Sequence, residues 1–230
     1  MIKMGDMKLR AVLFDFDGTI IDLDFKYAES RIAIKKVLKE LGFDESVFAL
    51  NDTAQTILEK VKKQIVEKSM DTKLSEIKDR IWSIIDEFEI EAVNASELLR
   101  ETKSILNFLS EKGIKKGLVT NSGRKAIQLA LIKHELEHDF DVMVTRDEVD
   151  RLKPCGDGLR LALRMINVPI ENAIYVGDSI NDVFAAKDAN VCSIVINRWP
   201  HHIEKLRKSS PDHIVNSLSE AMNLLKRLMD

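Results

Sequence analysis

A doubly wound α/β core carrying an inserted all-helical segment is the fold class this sequence predicts, on three observations. From residue 115 onward, short apolar runs alternate with amphipathic helical patterns, the rhythm of βα units around a parallel sheet. A further apolar run, Ala11–Phe14, stands far upstream and reads as a strand buried on both faces. Between them, residues 22–92 hold three successive helical patterns and no strand signal. The expected division is therefore a core of residues 1–21 and 93–230, with a helical insert at 22–92 following the first strand.

The elements follow in order. Residues 1–9 are a lead-in to the strand at 11–14. Phe25, Ala28, Ile32, Leu38 and Leu41 recur at near-helical spacing until Gly42. Ile57, Leu58, Val61, Ile65 and Val66 repeat the pattern after Asp52 or Thr53, either of which suits a helix cap. Ile77, Ile81, Trp82, Ile84, Ile85 and Phe88 make a third helix, with Trp82 assigned to packing among its apolar neighbours. A helix over 96–112 ends at Gly113. Then come a strand at 115–120, a helix at 123–137, a strand at 142–145 and a helix at 157–165. A strand at 172–176, a helix at 181–187 and a strand at 191–196 follow. The tail is read as a helix at 201–208, a short strand at 214–215 and a closing helix at 217–228.

Composition narrows the function. The 230 residues carry 35 Lys and Arg against 38 Asp and Glu, and a net charge of −3 leaves no electrostatic footprint for nucleic acid. Two cysteines, Cys155 and Cys192, make no disulfide framework and fit a reducing compartment. No apolar secretory segment opens the chain and no run approaches membrane-spanning length, so the expectation is a cytoplasmic protein without a membrane partner. No sustained heptad seam specifies an oligomer.

The chemistry gathers at strand ends. Asp15 and Asp17 stand i,i+2 at the end of the first strand, where an unpaired carboxylate is costly to desolvate and a divalent cation relieves the cost. The turn at Gly18 exposes backbone groups toward an anion. Thr120 and Asn121 end the next core strand ahead of a helix, a setting for a phosphate-sized anion. Lys153 lies in the loop after the strand that follows, within a Lys-Pro pair whose ammonium suits a phosphoryl oxygen and an acidic nucleophile together. Asp178 sits at the tip of a third strand, with Ser179 beside it and Asp182 in the first turn of the next helix. In this arrangement Asp15 can attack phosphorus to give an acyl phosphate, while Asp17 protonates the leaving oxygen and then deprotonates the hydrolytic water. The Asp15 carboxylate, the Asp17 backbone carbonyl and Asp178 form a hard-oxygen set matched to Mg²⁺. Thr120, Lys153 and the cation would stabilise charge on the phosphoryl oxygens.

Asp15-Phe16-Asp17-Gly18-Thr19, Thr120-Asn121, Lys153-Pro154 and Gly177-Asp178-Ser179-Ile180-Asn181-Asp182 together resemble the four motifs of the haloacid dehalogenase-like hydrolase superfamily, in the expected order. The likeness is to its phosphoglycolate phosphatase-like, helical-cap members. It implies a Rossmann-like core, an inserted cap, and Mg²⁺-dependent hydrolysis of a small soluble phosphomonoester, with phosphoglycolate as one substrate, through phosphorylated Asp15. Asp17 is implied as the acid/base, Thr120 and Lys153 as phosphate contacts, Asp178 as a metal ligand and Asp182 as a supporting acid. True dehalogenases of this superfamily do not usually carry an aspartate at the position of Asp17, which places the likeness on the phosphatase side. The cap would select the substrate, with Lys26 and Arg31 as candidates to contact an anionic one. Two alternatives stand beside hydrolysis: phosphomutase action on a sugar phosphate, and an aspartyl-phosphate signalling module with little turnover. One competing motif, His134-Glu135-Leu136-Glu137-His138, matches a zinc-protease pattern. It falls at a helix end with no third ligand, and a solvated helix terminus is the better reading.

Overall fold

A computed structural model describes residues 8–70 and 72–229; most of the lead-in, residues 1–7, lies outside them, as do residue 71 and the last residue. The chain forms two compact units, one made of residues 1–23 and 96–230 and the other of residues 24–95.

In the first unit, β1 (Ala11–Phe14) is buried along its whole length. A turn follows in which the N–H groups of Thr19, Ile20 and Ile21 all point to the Phe16 carbonyl. The chain then makes the two-residue strand β2 (Ile21–Asp22).

The second unit holds α1 (Tyr27–Glu40), α2 (Ala54–Glu67) and α3 (Leu74–Ala95), with a short 3₁₀ turn at Glu45–Val47. Ile34, Leu38, Ile57, Val61, Ile77 and Ile81 from the three helices, with Phe48 from the α1–α2 connection, form its buried apolar cluster, and Trp82 packs against it. Burial of each such side chain is worth about 1.5–3 kcal/mol, which holds together helices whose intrinsic preference is modest. Thr53 is the cap of α2, its hydroxyl accepting from the Thr56 N–H at 3.1 Å. Gln64 and Asp44 exchange two hydrogen bonds, at 2.8 and 3.2 Å, and so pin the α1–α2 connection.

The chain re-enters the first unit at β3 (Glu97–Leu98), which pairs antiparallel with β2 through Ile21 opposite Leu98. This corrects the expected helix over 96–112, since α4 (Thr102–Glu111) starts only after that pair. The physical reason is competition for backbone partners. Leu99 N–H and the Thr102 hydroxyl both donate to the Ile20 carbonyl, and Glu101 takes a left-handed conformation to turn the chain into the helix. Then follow β4 (Lys115–Val119), α5 (Arg124–His134), β5 (Val142–Val144), α6 (Asp157–Met165), β6 (Ala173–Gly177), α7 (Ile180–Ala189), β7 (Cys192–Ile196), α8 (Ile203–Ser209), β8 (His213–Val215) and α9 (Leu218–Met229).

The helix expected over 123–137 stops at His134. Glu135 is left-handed, its N–H reaches the Ile132 carbonyl, and the Leu136 N–H reaches Leu131 at 2.9 Å, with Leu136 buried. This is a Schellman ending made by a residue other than glycine. It separates His134 from His138, and His134 instead meets the Ser96 hydroxyl at 2.9 Å.

The six core strands run parallel in the order β5-β4-β1-β6-β7-β8. A parallel sheet needs helical crossovers, and α6 and α7 supply one apolar layer through Leu159, Leu163, Ala185 and Ala186 against Leu13, Val144 and Tyr175. The strand order reverses at β1, whose neighbours β4 and β6 lead the chain in opposite directions across the sheet. Crevices in open α/β sheets form at such a switch point, beyond the carboxyl ends of the strands. No helix among the described residues is long and apolar enough to cross a membrane.

Candidate active site

Register alone brings the motif residues together. Phe14 is level with Leu118 of β4 and Val176 of β6, so Asp15, Thr120 and Asp178 leave three adjacent strands at the same edge. Asp15 is fixed there by its own N–H, which donates to the Val176 carbonyl at 2.8 Å.

Lys153 arrives from the loop after β5 and binds the cluster. Its ammonium donates to Asp15 Oδ1 at 2.6 Å, Asp182 Oδ1 at 2.7 Å and the Tyr175 hydroxyl at 2.9 Å. Three acceptors match three protons, and the side chains of Lys153, Asp15 and Asp182 are only 8%, 10% and 3% exposed. Burial would lower the Lys153 pKa, but the Asp15 and Asp182 charges outweigh it and raise it above its ordinary value. Asp182 behaves conversely: burial opposes its charge, and Lys153 together with the bonds from Ser179 and Tyr175 holds it below the usual carboxylate range. Ser179 and Asp182 close a reciprocal cap on α7, Ser179 donating through N–H and hydroxyl to Asp182 Oδ2 at 3.0 and 2.6 Å.

Tyr175 is a site residue that sequence reading missed. Its hydroxyl receives the Lys153 proton and has one proton of its own to give, toward Asp182 Oδ1 at 2.8 Å in preference to the Val119 carbonyl at 3.2 Å. The signal was a tyrosine inside an apolar strand run, where a buried hydroxyl requires a partner.

The Asn121 side chain is engaged within the protein. Its amide donates to the Lys153 carbonyl at 3.0 Å and its Oδ1 accepts from the Lys153 N–H at 2.9 Å, so the side chain clamps the lysine loop. Thr120 is buried beside it, with Oγ1 accepting from the Ser122 N–H at 3.1 Å.

The other carboxylates are left with charge to balance. Burial, against the opposing Lys153 charge, moves Asp15 up to about 6. Burial and then the Asp15 charge move Asp17 up to about 7, and its Oδ1 accepts from the Leu23 N–H at 3.2 Å. Asp178 rises to about 8 through burial and the surrounding acids, and among the described residues no hydrogen-bond donor reaches its carboxylate. Gly18 makes room for it: a Cβ there would lie 2.2 Å from Asp178 Oδ2, and the backbone turns at φ +77. Asp15, Asp178 and Asp182 each offer an oxygen within 4.8 Å of the others. Both Asp182 oxygens are already bonded, so Asp15 and Asp178 are the carboxylates with capacity left. The turn N–H groups collect on Phe16 and leave the Asp17 carbonyl outside their set. This donor set of anionic and carbonyl oxygens fits a hard divalent cation such as Mg²⁺.

Arg198, in the segment after β7, also went unread. It pairs with Asp22 of β2 at 3.0 Å and its charge acts on Asp17. Lys26 and Arg31 both lie in the helical unit. Lys26 pairs with Glu91, and Arg31 is buried, donating from Nε to the Asp52 carbonyl at 2.8 Å and from a terminal nitrogen to the Ser30 hydroxyl.

A strand-tip carboxylate held by a buried lysine, with further carboxylate oxygens beside it, has the parts that nucleophilic phosphoryl transfer needs. The sequence model of the haloacid dehalogenase-like hydrolases matches residues 12–196, and the chain belongs to that family. It is 29% identical over 222 residues to a candidate pyrophosphatase PpaX of Caldanaerobacter subterraneus subsp. tengcongensis, covering 96% of each chain. A phosphoglycolate phosphatase of Colwellia psychrerythraea is 26% identical over 231 residues, with 96% of this chain and all of that one covered. Among solved structures, a candidate β-phosphoglucomutase of Bacteroides vulgatus superposes with a TM-score of 0.71 over 96% of this chain and 89% of that one, at 24% identity, a likeness of fold.

Proposed function

We propose that the protein is a Mg²⁺-dependent phosphatase of small soluble, anionic phosphate esters, working in the cytoplasm through an aspartyl phosphate on Asp15. The observation that carries this reading is the pairing of buried Asp15 with Lys153 at 2.6 Å beside an Asp178 carboxylate that no donor among the described residues satisfies. The relatives' names, a pyrophosphatase and a phosphoglycolate phosphatase, agree on phosphate release.

Asp15 is the nucleophile. Lys153 keeps it ionised and aimed, and Asp182 and Tyr175 fix Lys153 in turn. Asp17, held by the Leu23 N–H, carries a proton to the leaving oxygen and later takes one from water. Thr120 and the Asn121 backbone N–H receive the phosphoryl oxygens, the N–H groups of Gly18, Thr19, Ile20 and Ile21 being taken within their own turn. Asp15, the Asp17 carbonyl and Asp178 would hold the Mg²⁺, with Ser179 and Asp182 supporting that edge. When bound, the ion neutralises phosphoryl charge and lets an anion approach the acidic cluster. Residues 22–92 serve as an inserted cap within this proposal.

The reading is tested by incubating Asp17→Asn with substrate and Mg²⁺ and locating phosphate by mass spectrometry after an acid quench. Removing the acid/base slows breakdown of the acyl phosphate, so phosphate should accumulate on Asp15. Label elsewhere, or a fully active variant, would contradict it.

A further inference from the structure

Beside Asp178 the core unit contains a second feature that the reaction chemistry leaves unused, a cavity of about 390 Å³. Its lining includes Asp178 and Asn181, Trp199 and His202, and Lys205 and Leu206 of α8. A molecule bound at the reacting carboxylates therefore has this space next to it.

Three properties of the cavity point to its occupant. Trp199 is 51% exposed, although an indole is among the groups that gain most from cover. Its position is braced: Arg198 lies 5.6 Å from the ring centre and is itself held by Asp22, while the His202 N–H donates to the Trp199 carbonyl at 2.8 Å. A large apolar surface is thus presented rather than loosely displayed. Charge is the third property. Lys205 has no ion-pair partner among the described residues, because neighbouring Glu204 is taken by Arg207 at 3.1 Å. The lining thus includes both the Asp178 carboxylate and an uncompensated ammonium.

We infer that this cavity receives the leaving group of the substrate, and that the leaving group bears its own distal anion, a carboxylate or a phosphoryl group, which pairs with Lys205 while Trp199 covers the connecting atoms. The inference rests on the phosphatase reading and names the feature by which that site would choose among phosphate esters. Lys205 and Trp199 are specificity residues here; neither touches the reacting bond.

The test compares the full-length parent with Lys205→Glu and Trp199→Ala on 2-phosphoglycolate, inorganic diphosphate and p-nitrophenyl phosphate. Charge reversal should raise KM for the two substrates with anionic leaving groups about tenfold relative to KM for the nitrophenyl ester, since like charges in contact are strongly unfavourable. A response to 2-phosphoglycolate alone identifies the distal group as carboxylate, and to diphosphate alone as phosphoryl. An equal change for all three substrates, or no change, overturns the inference. A second arm does not depend on turnover. With Trp82→Phe as background, Trp199 fluorescence is titrated with 3-phosphonopropionate and with ethylphosphonate in the presence of Mg²⁺. A saturating change that is at least about fivefold tighter for the doubly anionic probe, and weakened by Lys205→Glu, supports the subsite. The absence of any change overturns it. Failure of the phosphatase reading itself would show separately, as no phosphate released from any ester.

Discussion

Replacing Lys153 with methionine separates two accounts of this residue. If the ammonium served only to contact substrate, its loss would abolish turnover and leave the fold as stable as before. The structure instead makes it the sole cation, among the described residues, hydrogen-bonded to two buried acids, Asp15 and Asp182. Methionine preserves the stem and packing volume, so the change isolates the charge. Removing one partner of a buried ion pair costs about 3–5 kcal/mol, because the remaining charge stays desolvated. For a chain of this size each kcal/mol lowers Tm by roughly 2–4 °C, so the loss should be on the order of 10 °C. Urea unfolding followed by circular dichroism, with thermal melts alongside, measures it. Adding Asp182→Asn to the variant should restore about 1–3 kcal/mol, as one orphaned acid is removed. A Lys153→Met protein within about 0.5 kcal/mol of the parent would refute the reasoning, since this is the scatter of surface substitutions.

Other outcomes follow from the same geometry. Gly18→Ala places a Cβ against Asp178 in a left-handed turn, and should lower activity more than about 100-fold while costing roughly 1–3 kcal/mol of stability, read by phosphate release and melting. Arg31→Ala removes bonds to the Asp52 carbonyl and the Ser30 hydroxyl inside the helical unit; it should destabilise by about 1–3 kcal/mol with less than about a twofold change in KM, and a large KM effect would instead make Arg31 a substrate contact. Glu148 supplies an acid-sensitive support. Burial would raise its pKa, but bonds from Arg124 and from the Thr145 N–H and hydroxyl outweigh burial and lower it. A depressed carboxyl contributes stability above its unfolded pKa, and that contribution is lost as pH falls through the folded value. Glu148→Gln should therefore lose about 1–2 kcal/mol near pH 7 and converge on the parent in acid, as tracked by Tm from pH 7 to pH 3.

How much of this was legible beforehand depended on the range of the interaction. Asp15, Thr120 and Asp178 could be read because each ends an apolar run, and parallel register then brings such ends together whatever the sequence distance. The β2–β3 pair could not be read, since two residues carry no periodicity; its loss also displaced the start of α4. Glu101 and Glu135 end or begin helices in left-handed conformations usually marked by glycine or asparagine, so the boundaries there gave no compositional sign. Side-chain partners were the least visible layer. Tyr175 reads as one more apolar strand residue until Lys153 and Asp182 stand beside it. That the Asn121 amide closes on the Lys153 backbone, and that Arg198 finds Asp22, shows only through the fold.

The central claim, hydrolysis through Asp15 with Asp17 as its proton carrier, is met most directly by phosphate release from a panel of phosphomonoesters and diphosphate, with and without Mg²⁺, using the parent, Asp15→Asn and Asp17→Asn. The account predicts metal-dependent net release by the parent and its loss, by at least about 100-fold, in both variants. Release that persists in Asp15→Asn, or a folded parent that releases nothing from any ester in the presence of Mg²⁺, would contradict it.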